Sequence, residues 1–396
     1  MTVAIALFTR DLRVHDNPVL HAAVSSAERV VPLFVLDEAI TGGRFNRPNR
    51  AVFLAACLRD LDRGLRERGG RLVVRRGRTA DEVARLADEH DVTAVHVAAD
   101  VSGFARRREE TLRERLAAAG RDLCVHDTSV TVVPPGAVTP SGNDHFAVYT
   151  PYYRQWSAAA KRAVLPAPRR LSLPNVAEGS LPAREEICPG PTSPDLPEGG
   201  ERAGRALLDA WVDGPVRDYG SAHDDLAADG TSRLSPHLHF GTVSPTELVH
   251  RARESAEFVR QVAWRDFHHQ VLAARPSAAT RDYRPHGDRW RRSAIDLRAW
   301  QEGRTGYPIV DAGMRQLRRE GWLHNRVLNP LLQAKRYDPD GAYVRRYVPE
   351  LAKIPGAAVH EPWKLPPAML DDLGYPRPIV DLREGSERFL TARGKR

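Results

Sequence analysis

Cysteine is scarce in this chain of 396 residues, and the three that occur, Cys57, Cys124 and Cys188, are far apart. Their spacing excludes a CxxC redox motif and the common zinc motifs, so we expect no metal site and a reduced, cytoplasmic compartment. No run of eighteen apolar residues occurs, so we expect no membrane helix. The early charges in MTVAIALFTRDLR are not typical of a secretory signal and favour a first strand.

Lysine is also scarce, because only five of the 59 basic residues are lysine. With 51 acidic residues the formal net charge is +8 at pH 7, which favours a polyanionic partner such as nucleic acid. Arginine binds phosphate as a planar fork and also stacks on bases. A coding bias toward arginine explains the same composition, so charge alone leaves both interpretations open.

The glycine-rich turn GxGxxG, typical of dinucleotide binding, does not follow the first apolar run. Five apolar runs occur at residues 3–8, 30–36, 71–75, 92–98 and 122–126, with helical patterns at about 18–26, 50–68, 79–89 and 104–119. This alternation predicts a Rossmann-like α/β domain over residues 1–130, built on a five-stranded parallel sheet. Residues 131–200 are rich in Pro, Gly and Ser and predict a surface linker, and residues 201–396 are predicted to be all-α.

The most informative stretch is GYPIVDAGMRQLRREGWLHNRV, residues 306–327. Pro308 and the apolar spacing from Val310 to Leu317 predict a helix, and Gly321 predicts its left-handed cap. The amino-acid sequence of this stretch resembles the flavin-binding region of the DNA photolyase/cryptochrome family. LFTRDLRVHDNPVL near the start, and KRYDPDGAYVRRYVPEL and VHEPWKLP near the end, resemble the same family, so the resemblance covers essentially the whole chain.

The resemblance implies an α/β antenna domain followed by an all-α domain that binds FAD as cofactor. It also implies light-driven repair of pyrimidine dimers in UV-damaged DNA, by electron transfer from reduced FAD, in a monomeric protein. The antenna chromophore would be 8-hydroxy-5-deazaflavin or methenyltetrahydrofolate, and the sequence leaves this choice open. A cryptochrome-like blue-light sensor without repair, and an inactive remnant, are the alternatives.

A loop with three hydroxyl side chains, Thr231-Ser232-Arg233-Leu234-Ser235, follows Tyr219 after twelve residues. Such clusters commonly cap helices, but hydroxyls and backbone N–H groups before a helix also bind phosphate. By resemblance, this loop and Tyr219 hold the FAD pyrophosphate, and Asn325 belongs to the cofactor site.

A second constellation lies in EFVRQVAWRDFHHQ, where helical spacing places an amide, an indole, a guanidinium and an imidazole on one face. A solvated face explains three of these groups, whereas the indole favours a cleft wall on which a base stacks. WRDF resembles the family's WREF, whose tryptophan packs on the flipped-out pyrimidine dimer. The resemblance implies DNA contacts for Gln261, Trp264, Arg265, His268, Asn325 and Arg326.

Two further residues have an ordinary interpretation beside a functional one. Trp290, in DRWRRS, matches the outer member of the family's tryptophan electron chain, but a surface tryptophan beside arginines also suits packing or DNA contact. Asp100 follows the fourth predicted strand, where ligands bind in open parallel sheets. It resembles an aspartate that contacts the deazaflavin antenna, although a loop aspartate that caps the next helix is an equal alternative.

The chain departs from the family directly after Val327. There the family carries further helices with a D-G-D turn that binds flavin, an asparagine pair near the flavin ring and a W-x-W that completes the electron chain. Here Val327 is followed by Leu328-Asn329-Pro330, and no DGD or WQW occurs anywhere. Family members commonly read NRV-x-NP at the far end of that segment, so we predict that the piece between two NRV copies was lost and that FAD binding is weakened.

Overall fold

The computed structural model describes residues 1–328 and 331–394, without the side chains of 328 and 331–333. Five strands form one sheet, and they are β1 Val3–Leu7, β2 Arg29–Asp37, β3 Val73–Gly77, β4 Val92–Ala98 and β5 Asp122–His126. The strand order is β3-β2-β1-β4-β5, and every pairing is parallel. The predicted five-stranded parallel sheet is therefore confirmed.

Helices connect the strands and alternate with loops through the rest of the described residues. The first five are α1 Pro18–Ser26, α2 Glu38–Thr41, α3 Pro48–Arg66, α4 Thr79–Glu89 and α5 Gly103–Ala118. The middle seven are α6 Tyr149–Ala158, α7 Arg184–Ile187, α8 Glu201–Val212, α9 Tyr219–Ala222, α10 Ser235–Phe240, α11 Pro245–Arg251 and α12 Ala256–Ala274. The last six are α13 Ala294–Glu302, α14 Pro308–Glu320, α15 Leu331–Tyr337, α16 Ala342–Tyr347, α17 Pro367–Leu373 and α18 Leu382–Ala392. An α/β part thus precedes an all-α part, as predicted.

By contact density the chain divides into two compact units. The first unit comprises Met1–Pro191, Glu198–Gly220 and Ser232–Arg281, and the second comprises Thr192–Pro197, Ser221–Thr231 and Asp282–Arg396. The first unit therefore contains the sheet together with several helices of the all-α part, up to α12. The division into residues 1–130, 131–200 and 201–396 stays a prediction about folding domains.

Both faces of the sheet are buried, because successive side chains of a strand point to opposite sides. In β1, Ala4 and Ala6 belong to one hydrophobic cluster, which contains residues of α1 and α3. Ile5 and Leu7 belong to the other cluster, which contains residues of α4 and α5. Apolar residues at every position of β1 are therefore what a strand covered on both faces requires.

The helix predicted in the most informative stretch is present as α14. It begins at Pro308 and ends at Glu320, and the φ of 65° at Gly321 gives the left-handed cap that the sequence predicts. Asp311 in its first turn accepts hydrogen bonds from the N–H groups of Thr305 and Gly306 and from the hydroxyl of Tyr375. These bonds fix the start of α14 in the second unit.

Four histidines of the first unit make its stability depend on pH. Burial lowers the pKa of His96, His237 and His269 to about 4 and that of His239 to about 3. The unfolded chain, with histidine pKa values near 6.5, binds more protons than the folded chain between pH 6.5 and 4. Stability is therefore complete above pH 6.5 and falls as the pH is lowered through this window.

We expect the thermal unfolding midpoint to be lower at pH 5 than at pH 7.5, and calorimetry measures this difference directly. Replacement of His239 by Gln should make the pH dependence smaller, because one buried imidazole no longer has to be protonated on unfolding. A midpoint that stays constant between the two pH values would contradict the expectation.

Candidate functional site

The long helix α12 carries an exposed face formed by Gln261, Trp264 and His268, which we call the α12 face. Ser255 caps the helix, since its hydroxyl accepts the N–H of Phe258 at 3.4 Å. The indole of Trp264 is 36% exposed. Three of the four predicted side chains of this helix thus share one face.

Arg265 is the fourth predicted side chain of α12, and its guanidinium is mostly buried. Its Nη1 donates to the carbonyl of Val130 at 2.6 Å, and its Nη2 donates to the carbonyl of Leu238 at 3.2 Å. Burial lowers the pKa of Arg265 to about 10, so the group stays charged at neutral pH. These bonds give it a role in holding neighbouring segments, and its predicted DNA contact stays a prediction.

Trp264 is stacked face to face on Tyr149, which belongs to α6. The ring centroids are 3.6 Å apart and the planes differ by 7°. The Tyr149 hydroxyl donates to the carbonyl of Arg260 at 2.5 Å, and the ring of His268 lies 5.7 Å from that of Trp264. The stretch FAVYTPYYRQW, residues 146–156, is rich in aromatic residues, but the sequence does not show that Tyr149 contacts α12.

Asp266 is a residue that the sequence reasoning did not single out, although it lies inside the WRDF motif. Its Oδ2 accepts the N–H groups of Val132 and Val133 at 2.9 and 3.0 Å, and Nε1 of Trp156 at 2.9 Å. Burial raises the pKa of this carboxyl. Asp266 thereby joins α12 to the segment before α6 and to α6 itself, which positions the α12 face.

Most of the predicted phosphate-binding residues lie in the first unit, namely Tyr219 and Ser232–Ser235. Tyr219 is buried, with its ring edge-on to those of Trp211 and Phe258. Arg233 has a φ of 50°, in the left-handed region, and Ser235 begins α10 with an exposed side chain. The loop therefore turns sharply just before a helix start.

Three further residues predicted to bind the cofactor or DNA, Thr231, Asn325 and Arg326, lie in the second unit. The Oγ1 atom of Thr231 is buried and has no hydrogen-bond partner. Asn325 is exposed in the short 3-10 helix Asn325–Leu328. Arg326 donates from Nε to Asp224 at 2.7 Å, and its guanidinium lies over the ring of Tyr337 at 5.3 Å.

The predicted junction of the lost segment falls at Leu328-Asn329-Pro330, and Asn329 and Pro330 lie outside the described residues. On its near side, Val327 is buried in the core of the second unit, and on its far side Ala334 is buried in the same cluster. Both flanks of the junction are thus anchored in one hydrophobic core.

Trp290 lies on the surface of the second unit, with 55% of its area exposed. Its ring contacts that of Phe389 in α18, at 5.7 Å between centroids. Trp300, in α13, is also exposed, at 43%. The predicted place of Trp290 at the outer end of an electron chain agrees with its exposure, and its role stays a prediction.

Asp100 lies directly after β4, at the carboxyl end of the sheet. Its Oδ1 accepts from Arg10 at 3.1 Å and from the N–H groups of Val101 and Ser102. Burial raises the pKa of Asp100, but the charge of Arg10 and these bonds outweigh burial and leave it below its ordinary value. Ser102, and not Asp100, provides the side-chain cap of α5.

Unpartnered polar atoms occur near this aspartate. The charge of Arg108 acts on both Asp100 and Asp11. Three buried atoms have no hydrogen-bond partner, namely Nε of Arg108, Oδ2 of Asp11 and Oγ1 of Thr9. Buried polar atoms normally have hydrogen-bond partners, and for unpaired ones a ligand or an ordered water commonly provides the partner. This region of the first unit has the donors and acceptors that a polar ligand requires.

Two family models match the chain. The model "DNA photolyase" matches residues 4–170, and the model "FAD binding domain of DNA photolyase" matches residues 258–328 and 326–395. Among the described residues, no helix is long and apolar enough to cross a membrane.

Curated relatives and solved structures agree with these matches. The chain is 51% identical to a deoxyribodipyrimidine photo-lyase of Streptomyces griseus, with 100% of both chains covered, and 31% identical to one of Halobacterium salinarum, with 97% and 98% covered. A class III photolyase of Agrobacterium tumefaciens superimposes with a TM-score of 0.90 at 27% identity, covering 99% of this chain and 97% of that one. A photolyase of Sulfolobus tokodaii, solved with two FAD molecules, gives 0.83 at 26% identity, covering 100% of both.

The matches also locate the internal deletion. The FAD-binding model matches in two pieces, which meet and overlap at residues 326–328, the point predicted from the sequence. The alignment with the Streptomyces protein spans 455 columns, and this chain has 396 residues, so 455 − 396 = 59 columns hold no residue of this chain. With these matches over both its α/β part and its helical part, the chain belongs to the DNA photolyase family.

Proposed function

We propose that this protein repairs pyrimidine dimers in UV-damaged DNA by light-driven electron transfer from reduced FAD. The observation that carries the proposal is the indole of Trp264, which is held flat on Tyr149 and is still 36% exposed. An exposed, ordered indole suits the stacking of a base that has left the double helix. Photolyases are among the enzymes that take their target bases out of the stack.

The side chains around Trp264 have matching roles in this proposal. Gln261, one turn before it, offers an amide donor and acceptor to the polar edge of a base. Arg260 is exposed beside Tyr149 and Tyr153, with its guanidinium 5.8 and 5.2 Å from their rings, and is available to a phosphate. The resulting affinity for the DNA backbone does not depend on the base sequence of the DNA.

FAD is the cofactor of the domain that this chain shares with its family, and it supplies the excited electron when it is bound. The residues present suit the phosphate end of FAD, because the loop at Ser232–Ser235 turns sharply just before the start of a helix. By resemblance, the groups that hold the ribityl chain and ring belong to the segment missing after Val327. The fit is therefore confined to the phosphates.

The remaining features of the proposal rest on resemblance and on the region around Asp100. We propose that an antenna chromophore, 8-hydroxy-5-deazaflavin or methenyltetrahydrofolate, binds near Asp100, which the unpartnered atoms of Asp11 and Arg108 support. We also propose that the protein is a cytoplasmic monomer.

A second candidate function is binding of damaged DNA, or light sensing, without repair. The absence of WQW and DGD from the sequence favours binding without repair, because electron transfer to the flavin and flavin binding both lose groups. Repair of dimer-containing DNA under blue light separates the two functions.

The Trp264→Ala variant tests the proposed site. We expect it to bind a dimer-containing duplex more weakly by about 1–3 kcal/mol, the free energy of one base–aromatic stack. Its affinity for undamaged DNA should change little, because backbone contacts dominate that binding. Fluorescence anisotropy with matched damaged and undamaged oligonucleotides measures both affinities.

Trp300→Ala is the matched control, since Trp300 is a comparably exposed tryptophan in the second unit. This variant should leave both affinities unchanged. An equal loss on damaged and undamaged DNA in Trp264→Ala would make Trp264 a structural residue and would remove the support for the proposal.

A further inference from the structure

In the aromatic stack on the first unit, Tyr149 covers one face of the Trp264 indole, and the ring of His268 lies 5.7 Å from the indole at an interplanar angle of 28°. Tyr149 covers one face at a centroid distance of 3.6 Å with nearly parallel planes. A base is itself about as thick as this spacing, so none fits between the two rings. Tyr149 is 6% exposed and Trp264 is 36% exposed, so the exposed area of this ring pair belongs mainly to the indole.

Tyr149 is held in place independently of Trp264. Its hydroxyl donates to the carbonyl of Arg260, one turn before Trp264 on α12. Phe267 meets its ring edge-on at 5.7 Å and 88°, and Tyr153 stacks at 5.8 Å and 21°. A ring fixed by its hydroxyl and by two further rings is a rigid support for the indole.

We propose that Tyr149 is a positioning residue for base stacking, which holds the Trp264 indole in one orientation and restricts an extrahelical base to the part of the indole that Tyr149 leaves uncovered. The inference rests on the proposed function, because it concerns how the same site receives a damaged base. Its energetic logic is preorganisation: an indole that is already ordered loses less conformational freedom when the base arrives. Tyr149 acts through Trp264 and does not itself touch the base.

A double-mutant cycle on dimer-containing DNA tests the inference. We expect Tyr149→Ala to lower the affinity of the full chain about tenfold, a size typical of a lost aromatic pair. In a Trp264→Ala background the same substitution should change the affinity less than twofold, because the residue through which it acts is gone. Tyr149→Phe keeps the ring and should retain affinity within about twofold to threefold of the unchanged chain.

A second measurement does not depend on DNA. In protein labelled with 5-fluorotryptophan, the Trp264 resonance is assigned by its loss in Trp264→Phe. We expect it to shift and broaden in Tyr149→Ala and to stay in place in Tyr149→Phe, because only the first variant removes the ring beside the indole. Unfolding curves of each variant show whether the fold is retained.

The outcomes distinguish this inference from the function on which it rests. If the unchanged chain binds damaged and undamaged DNA equally, the proposed function fails, and the fluorine spectrum still decides whether Tyr149 orders Trp264. If the unchanged chain discriminates but the two alanine substitutions act additively, the inference is overturned and the proposed function stands. An unshifted Trp264 resonance in Tyr149→Ala overturns it as well.

Discussion

The 396-residue chain should purify with far less than one FAD per molecule, and a variant with a family-type segment inserted directly after Val327 should purify yellow. The family-model match, which breaks and resumes at residues 326–328, places the loss at this point. By resemblance the lost piece contains the D-G-D turn and the asparagine pair that hold the flavin. By resemblance, the loop that remains at Ser232–Ser235 would contact only the phosphate end of the cofactor.

The size of this effect follows from the stability of small domains. Burial of apolar surface contributes about 25 cal/mol per Å², and a domain is stable by only ~5–15 kcal/mol in total. Removal of a helical layer therefore costs a large part of this margin. Val327 and Ala334, on the two sides of the junction, are buried in one cluster, so an inserted segment can leave and rejoin the same core.

The absorption spectrum of the purified protein measures the FAD content, and repair of a dimer-containing oligonucleotide under blue light measures activity. The matched control is the same insertion with the two aspartates of its D-G-D turn changed to asparagine, which should restore the fold but only part of the FAD. The expectation is wrong if the chain without insertion carries stoichiometric FAD and repairs dimers.

DNA affinity should fall steeply with salt, and this is the second large effect that we expect. Each phosphate contacted by a basic side chain releases a condensed counterion, so that six to ten contacts weaken binding by about 10³- to 10⁵-fold between 50 and 200 mM salt. The net charge is +8, and nearly all of the basic residues are arginine, whose side chains would make these contacts. A response without salt dependence would indicate that the charge reflects coding bias.

Single substitutions can locate this charge effect. Arg260→Gln should reduce the salt slope by about one, because Arg260 is exposed beside the Tyr149–Trp264 stack. Arg383→Gln is the control, since Arg383 is exposed on α18 and pairs with Glu387 one turn away. It should leave the slope unchanged, and equal slopes for both variants would place the phosphate contacts elsewhere.

Regular periodicity explains why so much of the architecture was predictable. The apolar runs predicted all five strands, and the spacing from Pro308 to Gly321 predicted α14 with both of its ends. These signals are local, since a strand covered on both faces needs a continuous apolar run and a helix end needs a particular backbone angle. The break in the family-model match after Val327 was likewise predictable, because the motifs that the family carries there are missing from the sequence.

The sequence by itself determined the strands, the helices and the residues available for chemistry, because each depends on neighbours within a few positions. Only the tertiary structure decided how those residues are used. Arg265 and Trp264 are adjacent and so point about 100° apart on α12, and carbonyls of Val130 and Leu238 draw the guanidinium inward. Tyr149 meets Trp264 across more than a hundred residues of chain. Contacts between distant segments arise from packing of whole elements, which no local pattern specifies.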